Sequence, residues 1–169
     1  MADTAPAKPL VGIIAGSRSD FPTMEKAVAL LDRFEIPNEL RVISAHRSPD
    51  LALRYAETAR TRGLRVVIAA AGGAAHLAGV IAAKTQLPVI GVPIQTPSLG
   101  GLDSLLSMVQ MPRGIPVATV SIGGAENAAL LAVEILALGD EALASRLSDY
   151  RAEQSRAIAD DPSNEVSLD

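Results

Sequence analysis

The 169-residue sequence contains no cysteine and no tryptophan, and its aromatic side chains are two Phe and two Tyr. Without cysteine the chain cannot form a disulfide framework, a thiolate zinc site or a cysteine nucleophile. The formal net charge is −4 and no block of basic residues is present. Because base stacking needs aromatic rings and phosphate tracking needs clustered cations, the sequence argues against a nucleic-acid-binding protein.

Long uninterrupted hydrophobic runs are also lacking. The longest mostly apolar run, residues 66–83, begins with β-branched residues and is interrupted by Gly72, Gly73 and His76. This pattern favours a buried strand, turn and helix over a membrane span. The N-terminal residues MADTAPAKP contain no apolar signal-peptide core. We therefore expect a cytoplasmic protein that does not enter the membrane.

Short apolar runs alternate with helical patterns along the chain, which predicts βαβ units and a parallel sheet. The strands are continuous apolar runs, as expected where helices cover both faces of a sheet. We expect a three-layer, doubly wound α/β fold of flavodoxin-like or Rossmann-like type with about five strands. The predicted strands are residues 10–15, 40–43, 65–70, 88–92 and 117–122; the predicted helices run to residue 34 and over 50–62, 76–85, 102–109, 127–138 and 140–159.

The chain length fits one domain. We expect a flexible N-terminus at residues 1–9, a single catalytic α/β domain at 10–159 and a poorly ordered tail at 160–169. Apolar residues make up 49% of the chain, mostly as small aliphatic side chains, and the predicted helix at 127–138 is apolar around nearly its whole circumference. Both features predict a homo-oligomer, in which a neighbouring subunit buries that helix.

Polar or glycine-rich segments follow the first three predicted strands. They read GSRSD at residues 16–20, SAHR at 44–47 and GGAAH at 72–76. In an open parallel sheet, ligands bind beyond the carboxyl ends of the strands, near the topological switch point. The sequence therefore predicts a ligand site where these three segments converge.

The first segment can bind an anion or simply begin a helix. Gly16 permits a tight turn, Ser17 and Ser19 offer hydroxyls, and free N–H groups at a helix start attract anions. Ser19 or Asp20 can equally cap the helix, with Pro22 in its first turn. One residue can cap while another binds, so both interpretations stay open.

The second segment places His46 beside Arg47 and two residues after Ser44. Histidine can both donate and accept a proton near neutral pH, and the arginine fork suits phosphate. A helix N-terminus is unfavourable for a cation, so Arg47 at this point favours an anionic ligand. The alternatives are a core His46 bonded to backbone and a solvated Arg47.

The third segment has no large side chain before His76, so the backbone of Gly73, Ala74 and Ala75 can approach a ligand closely. The alternative is a tight strand-to-helix connection without a ligand. His76 can line the site or cap the following helix, and a supporting structural role is the favoured interpretation.

Other kinds of site find little support. Two histidines on different segments, without cysteine, are a poor basis for a transition-metal site. Ser17, His46 and Asp20 can be drawn as a triad, but no G-x-S-x-G nucleophile turn is present. The residues therefore point to proton-transfer chemistry on a phosphorylated small molecule, with no metal.

The motifs GSRSD, SAHRSP, AGGAAHLAG, GVPIQT and GLDSLLSMVQMPRGIPVATVSIG follow one another within residues 12–124. This series resembles the class I N5-carboxyaminoimidazole ribonucleotide mutases of bacterial purine biosynthesis. The resemblance covers nearly the whole chain and is most specific at SAHR and at Gln110-Met111-Pro112. GGAAHL favours class I over the related class II aminoimidazole ribonucleotide carboxylases, which use free CO2.

The resemblance implies transfer of a carboxylate from the exocyclic nitrogen of an aminoimidazole ribonucleotide to ring carbon C4. It implies no cofactor, metal or ATP, and it implies an octamer. By resemblance, His46 is the general acid/base. The implied substrate-binding residues are Ser17, Asp20 and Arg47, with Ser19 and Ser44 beside them, and we add the third segment's Gly73, Ala74, Ala75 and His76.

Two alternatives remain open at this point. A class II carboxylase would share the fold and use aminoimidazole ribonucleotide with free CO2. A non-enzymatic flavodoxin-like or receiver-type module is the second alternative. A receiver needs an acidic residue at the end of its third strand, where this chain has Ala-Ala-Gly-Gly, and a flavodoxin needs aromatic rings around its flavin; both features count against that class.

Overall fold

The computed structural model describes residues 8–164, and its centre is a five-stranded parallel sheet in the order β2-β1-β3-β4-β5. This is the flavodoxin-like strand order, whose switch point lies between β1 and β3. The strands are β1 (Val11–Ala15), β2 (Asn38–Val42), β3 (Val66–Gly72), β4 (Val89–Ile94) and β5 (Ala118–Thr119), and the helices are α1 (Phe21–Arg33), α2 (Pro49–Ala59), α3 (Leu77–Ala82), α4 (Leu102–Val109), α5 (Ala125–Ala137) and α6 (Glu141–Ala159).

Helices cover both faces of the sheet. Ile13 of β1 packs in one apolar cluster with α1, α5 and α6, whereas its neighbour Ile14 packs in a second cluster with α2, α3 and α4. Successive side chains of a strand point to opposite faces, so the continuous apolar run of β1 fills both clusters. The predicted three-layer α/β fold is confirmed.

The last strand is shorter than the sequence predicts. β5 pairs with β4 only at Ala118 and Thr119, not over 117–122. The carbonyls of Gly91 and Pro93 both accept hydrogen bonds from the chain segment that contains and follows β5. The nitrogen and the carbonyl of one strand residue point to the same side, so the Pro93 nitrogen also faces β5. Proline has no N–H to donate, and the ladder therefore ends beside it.

Helix α5 is covered largely by its own chain. It packs on α1, β3, β4 and α6, and its buried side chains are mainly alanines. Leu138, directly after the helix, is 89% exposed. Most of α5 is thus buried without a second subunit. The neighbouring subunit expected from the sequence would cover at most the side chains that remain exposed.

The predicted flexible N-terminus and tail fall mainly on residues 1–7 and 165–169, which lie outside the described residues. Within the described part of the tail, Pro162–Asn164 form a 3-10 turn. None of the helices in residues 8–164 combines the length and apolarity that a bilayer span requires.

Candidate active site

The three predicted segments converge at the carboxyl edge of the sheet around a cavity of about 450 Å³. That volume is in the range of small-molecule sites. We call residues 16–20 the first loop, 43–48 the second loop, 73–76 the third loop and 95–101 the fourth loop. The cavity is lined by Gly16, Ser17, Ser19, Asp20, Ser44, Ala45, His46, Arg47, Ala71, Gly72, Ala74, Leu77, Ile94, Gln95 and Thr96.

Serine hydroxyls organise the first loop. Arg18–Asp20 form a 3-10 turn whose N-cap is Ser17, and the Ser17 hydroxyl accepts hydrogen bonds from the Ser19 amide at 3.3 Å and the Ser19 hydroxyl at 2.8 Å. Asp20 occupies the N-cap position of α1, one of the two predicted alternatives, but its side chain makes no capping hydrogen bond. Pro22 does lie in the first turn of α1, as expected.

Asp20 brings a carboxyl group into the cavity wall. Its side chain is 8% exposed, and this burial raises the pKa of Asp20 above its usual value. Hydrogen bonds with Ser19 and with the Ser17 backbone and the charge of Arg47 offset only part of that rise. A carboxyl group held in this way accepts hydrogen bonds from hydroxyl groups of a ligand more readily than it tolerates an adjacent anion.

Arg47 is held across two loops. Its Nη2 donates to the Gly16 carbonyl at 2.6 Å, and its Nε and backbone N–H both donate to the Ser44 hydroxyl, at 3.3 and 3.2 Å. The first loop is itself fixed to β3, because the Gly16 amide donates to the Ala70 carbonyl. The remaining guanidinium N–H groups stay available for an anion at the cavity.

The chain's two histidines meet at the edge of the cavity. Nε2 of His46 and Nδ1 of His76 lie 3.0 Å apart, with the rings nearly perpendicular. Nothing in the sequence indicates this contact, because the two histidines follow different strands. A hydrogen bond between two imidazole nitrogens needs a proton on one and a lone pair on the other. Their contact therefore fixes the orientation of one ring relative to the other.

The predicted third-loop residues are placed unequally. Ala74 lines the cavity, whereas Gly73, Ala75 and His76 do not. Ala75 is fully buried in the apolar cluster that includes α2, α3 and α4, and the Gly73 amide donates a hydrogen bond to the Ser104 hydroxyl. The other predicted residues all line the cavity: Ser17, Ser19, Asp20, Ser44, His46 and Arg47. Their catalytic and substrate-binding roles stay predictions.

The residues at the end of β4 and directly after it were missed. Ile94, Gln95 and Thr96 form one wall of the cavity. Parallel strands end at the same edge of the sheet, so ligand-binding residues are expected after β4 as they are after β1, β2 and β3. The polar pair Gln95-Thr96, soon after the predicted strand at 88–92, was the signal that could have found them.

Among residues 8–164, no three histidine, aspartate or glutamate side chains lie together in an arrangement that could hold a metal ion. The absence of a metal and of a cofactor in the reaction stays a prediction.

A model of the family described as AIR carboxylase matches residues 10–157. The chain belongs to the AIR carboxylase family. Within it, the chain is 57% identical over 152 residues to the N5-carboxyaminoimidazole ribonucleotide mutase of Synechocystis sp., covering 90% of this chain and 86% of that protein. It is 58% identical over 153 residues to the mutase of Bacillus subtilis, covering 89% and 94%. The family resemblance drawn from the motifs is confirmed.

The fold agrees with a solved structure of the same family. The crystal structure of Treponema denticola PurE matches this chain with a TM-score of 0.83 at 30% sequence identity. The match covers 92% of this chain and 97% of the other. The sheet and its surrounding helices are therefore those of an AIR carboxylase family protein.

Proposed function

We propose that the protein is an isomerase of purine biosynthesis. It converts N5-carboxyaminoimidazole ribonucleotide to 4-carboxy-5-aminoimidazole ribonucleotide. The observation that carries this proposal is the placement of His46 on the same cavity as Arg47 and the first-loop hydroxyls. The names of the Synechocystis and Bacillus relatives support the reaction.

The phosphate end of the substrate belongs at the first loop and Arg47. The Ser17 and Ser19 hydroxyls and Arg47 are hydrogen-bond donors on one side of the cavity, and a guanidinium can donate two parallel bonds to a phosphate. Asp20 has only acceptor oxygens when ionised, so it suits the ribose hydroxyls and not the phosphate. Ser44 supports this arrangement by holding Arg47 in place.

Replacing Arg47 by Lys should raise the KM for the ribonucleotide by about tenfold or more, since a bidentate charged contact is lost. Turnover at saturation should change less. The dissociation constant of the dephosphorylated nucleoside should hardly change, because it lacks the group that Arg47 binds. Steady-state kinetics and calorimetry on both ligands measure these effects.

Arg54→Lys is the matched control, because Arg54 is exposed on α2 and does not line the cavity. It should behave as the parent protein. An equal loss of affinity for nucleotide and nucleoside in Arg47→Lys would contradict phosphate binding by Arg47.

Protonated His46 starts the chemistry by donating a proton to the exocyclic nitrogen of the carbamate. The nitrogen–carbon bond breaks, its electron pair returns to the nitrogen, and CO2 and the aminoimidazole are formed. Carbon C4 of the electron-rich ring then bonds to the carbon of CO2. Neutral His46 removes the C4 proton, which restores the aromatic ring and the protonated histidine. The cycle is balanced in atoms and charge and needs no oxidant, reductant or ATP.

Retention of CO2 between the two steps requires a closed, fairly dry cavity. Gly72, the last residue of β3, and Ala74 in the third loop leave the backbone accessible to a flat ring, because neither has a large side chain. Ile94 and Leu77 add apolar surface to the same cavity. These residues are proposed to hold the imidazole ring and the released CO2 together.

His76 supports His46 in this proposal. Its Nδ1 either accepts a hydrogen from His46 Nε2 or donates one to it, so it orients the ring of His46. Direct binding of substrate by Gly73, Ala75 and His76 stays a prediction, and the placement of Ala75 in the core does not support it.

Isotope labelling tests the proposed reaction against a carboxylase that uses free CO2. The purified protein should interconvert the two isomers in EDTA without added bicarbonate. In 13C-bicarbonate, most of the product should carry unlabelled carbon, because the transferred CO2 does not leave the cavity. Full labelling of the product would contradict the isomerase and indicate the carboxylase.

The octameric state and the cytoplasmic location are part of the proposal. Leu102, Leu106 and Val109 lie on one face of α4 and are exposed. Leu99 and Ile122 are also exposed. Such exposed apolar side chains support burial by another subunit.

A further inference from the structure

A buried serine of α4 is part of neither the phosphate site nor the proton chemistry. Ser104 is 0% exposed, and in residues 8–164 it and Asp20 are the buried polar or charged side chains. A serine inside a helix is less favourable than alanine, and a buried hydroxyl is costly unless it is hydrogen-bonded. The hydroxyl of Ser104 therefore needs its own explanation.

The Ser104 hydroxyl connects the ends of two neighbouring strands. It accepts a hydrogen bond from the Gly73 amide at 2.9 Å and donates one to the Ile94 carbonyl at 2.6 Å. Gly73 follows β3 directly, and Ile94 is the last residue of β4. Both bonds thus lie at the carboxyl edge of the sheet, where Ile94 itself lines the cavity.

The Gly73 peptide is also held on its carbonyl side. The Ser107 hydroxyl lies 3.1 Å from the Gly73 carbonyl oxygen and 2.7 Å from the Asp103 carbonyl oxygen, and it can donate its one hydrogen to either of them. Gly73 has a φ of +68°, a conformation that favours glycine. One helix therefore contacts both polar groups of a residue whose two neighbours, Gly72 and Ala74, line the cavity.

Helix α4 is itself anchored to the fourth loop. Thr96, a cavity residue, donates its hydroxyl to the Asp103 carboxylate at 2.7 Å and accepts the Gly101 amide at 3.3 Å. The third loop, the fourth loop and the start of α4 are thus joined by one network of hydrogen bonds. A displacement of α4 would be transmitted to both walls of the cavity.

We infer that Ser104 is a positioning residue for the isomerisation: it fixes the Gly73 peptide, and so holds the Gly72–Ala74 wall that keeps CO2 beside the ring. This inference rests on the proposed function. Loss of the hydroxyl leaves the Gly73 amide and the Ile94 carbonyl without their partner. The loop then relaxes, and the cavity closes less tightly around the intermediate.

The test compares Ser104→Ala with the parent protein in the isomerisation assay with 13C-bicarbonate. We expect kcat to fall about tenfold to a hundredfold, because a small misplacement of the reacting groups can slow a reaction by this much. KM should change less than about threefold, and the labelled fraction of the product should rise because CO2 escapes and exchanges. Ser145→Ala, at an exposed position of α6, is the control and should match the parent.

Hydrogen–deuterium exchange provides a readout independent of activity. The peptide that contains Gly73 should exchange faster in Ser104→Ala, whereas peptides from α6 should not. If the parent does not interconvert the isomers, the proposed function fails, and unchanged exchange at Gly73 would separately show that Ser104 does not fix this loop. A folded Ser104→Ala with parental kcat, label fraction and exchange overturns the inference.

Ser107 keeps the inference testable if Ser104→Ala does not fold. Ser107 is only partly buried, so Ser107→Ala should fold and show a smaller loss of kcat with increased labelling. Ser107→Thr keeps the hydroxyl and should restore both values. Equal behaviour of Ser107→Ala and the parent in kcat, labelling and exchange at Gly73 would overturn the role of α4 in holding the loop.

Discussion

Replacing His46 by Asn is expected to lower the turnover number by ~10²–10⁴-fold, the usual contribution of a general acid/base. Asparagine has similar size and polarity but cannot carry the proton to the carbamate nitrogen or take it from C4. Because His46 is exposed at the rim and not part of the core, folding and ribonucleotide binding should be largely preserved. Isomerisation kinetics and calorimetric binding of the ribonucleotide measure the two effects separately.

His76→Asn is the matched control, because it removes the neighbouring ring and leaves His46 in place. Its turnover should fall less, since only the orientation of His46 is disturbed. If His46→Asn interconverted the isomers at the parental rate, the acid/base assignment would be wrong. Equal losses of turnover in the two variants would indicate that the two histidines act together as the general acid/base.

Replacing Gly12 by Ala is expected to cause the largest loss of stability among the variants considered. A Cβ atom at Gly12 in β1 would lie 2.1 Å from the Tyr55 hydroxyl and 2.9 Å from Leu64 Cδ1. Tyr55 cannot move away freely, because its hydroxyl donates to Glu39 at 2.9 Å and its ring packs against Arg62. Overpacking of this kind costs about 3 kcal/mol, which corresponds to a fall of about 6–12 °C in melting temperature.

The Glu39 carboxylate explains why this cluster resists rearrangement. Burial raises the pKa of Glu39, but hydrogen bonds from Arg41, Arg62 and Tyr55 outweigh it and bring the pKa below its usual value. Burial also raises the pKa of Tyr55, which therefore stays protonated and able to donate at neutral pH. Displacement of Tyr55 would leave a partly buried carboxylate short of one hydrogen bond.

Gly139→Ala is the control for the stability prediction, because no atom lies within 4 Å of a Cβ built there. Its free energy of unfolding should stay within about 0.5 kcal/mol of the parent. Melting temperatures must be compared at equal protein concentration, since assembly stabilises the folded chain. A Gly12→Ala variant as stable as Gly139→Ala would contradict the packing described around Tyr55.

Most of the fold could be predicted because its signals are local. The apolar runs of β1 and β3 are too continuous for surface strands. The helix predicted over 50–62 ends earlier, at Ala59, and Gly63 lies at φ +106° in the turn that follows it. The length of β5 could not be predicted from its own residues. It depends on Pro93 in the neighbouring strand, and the register between two strands is not visible in either one.

The candidate site was predicted in outline for a similar reason. Ser17, His46 and Arg47 each lie within a few residues of the end of a strand, so the edge of the sheet brings them together without detailed knowledge of the loops. The His46–His76 contact depends instead on the conformations of two loops that follow β2 and β3, which are separated by β1. The role of Ser104 depends on the docking of α4 against the third loop, which no local pattern indicates.

The most direct test of the whole account is a crystal structure of His46→Asn with N5-carboxyaminoimidazole ribonucleotide bound. The account predicts the phosphate at the first loop and Arg47, the ring against Gly72 and Ala74, and the carbamate nitrogen within hydrogen-bond distance of residue 46. A ribonucleotide bound elsewhere, or bound here with its ring turned away from residue 46, would contradict it.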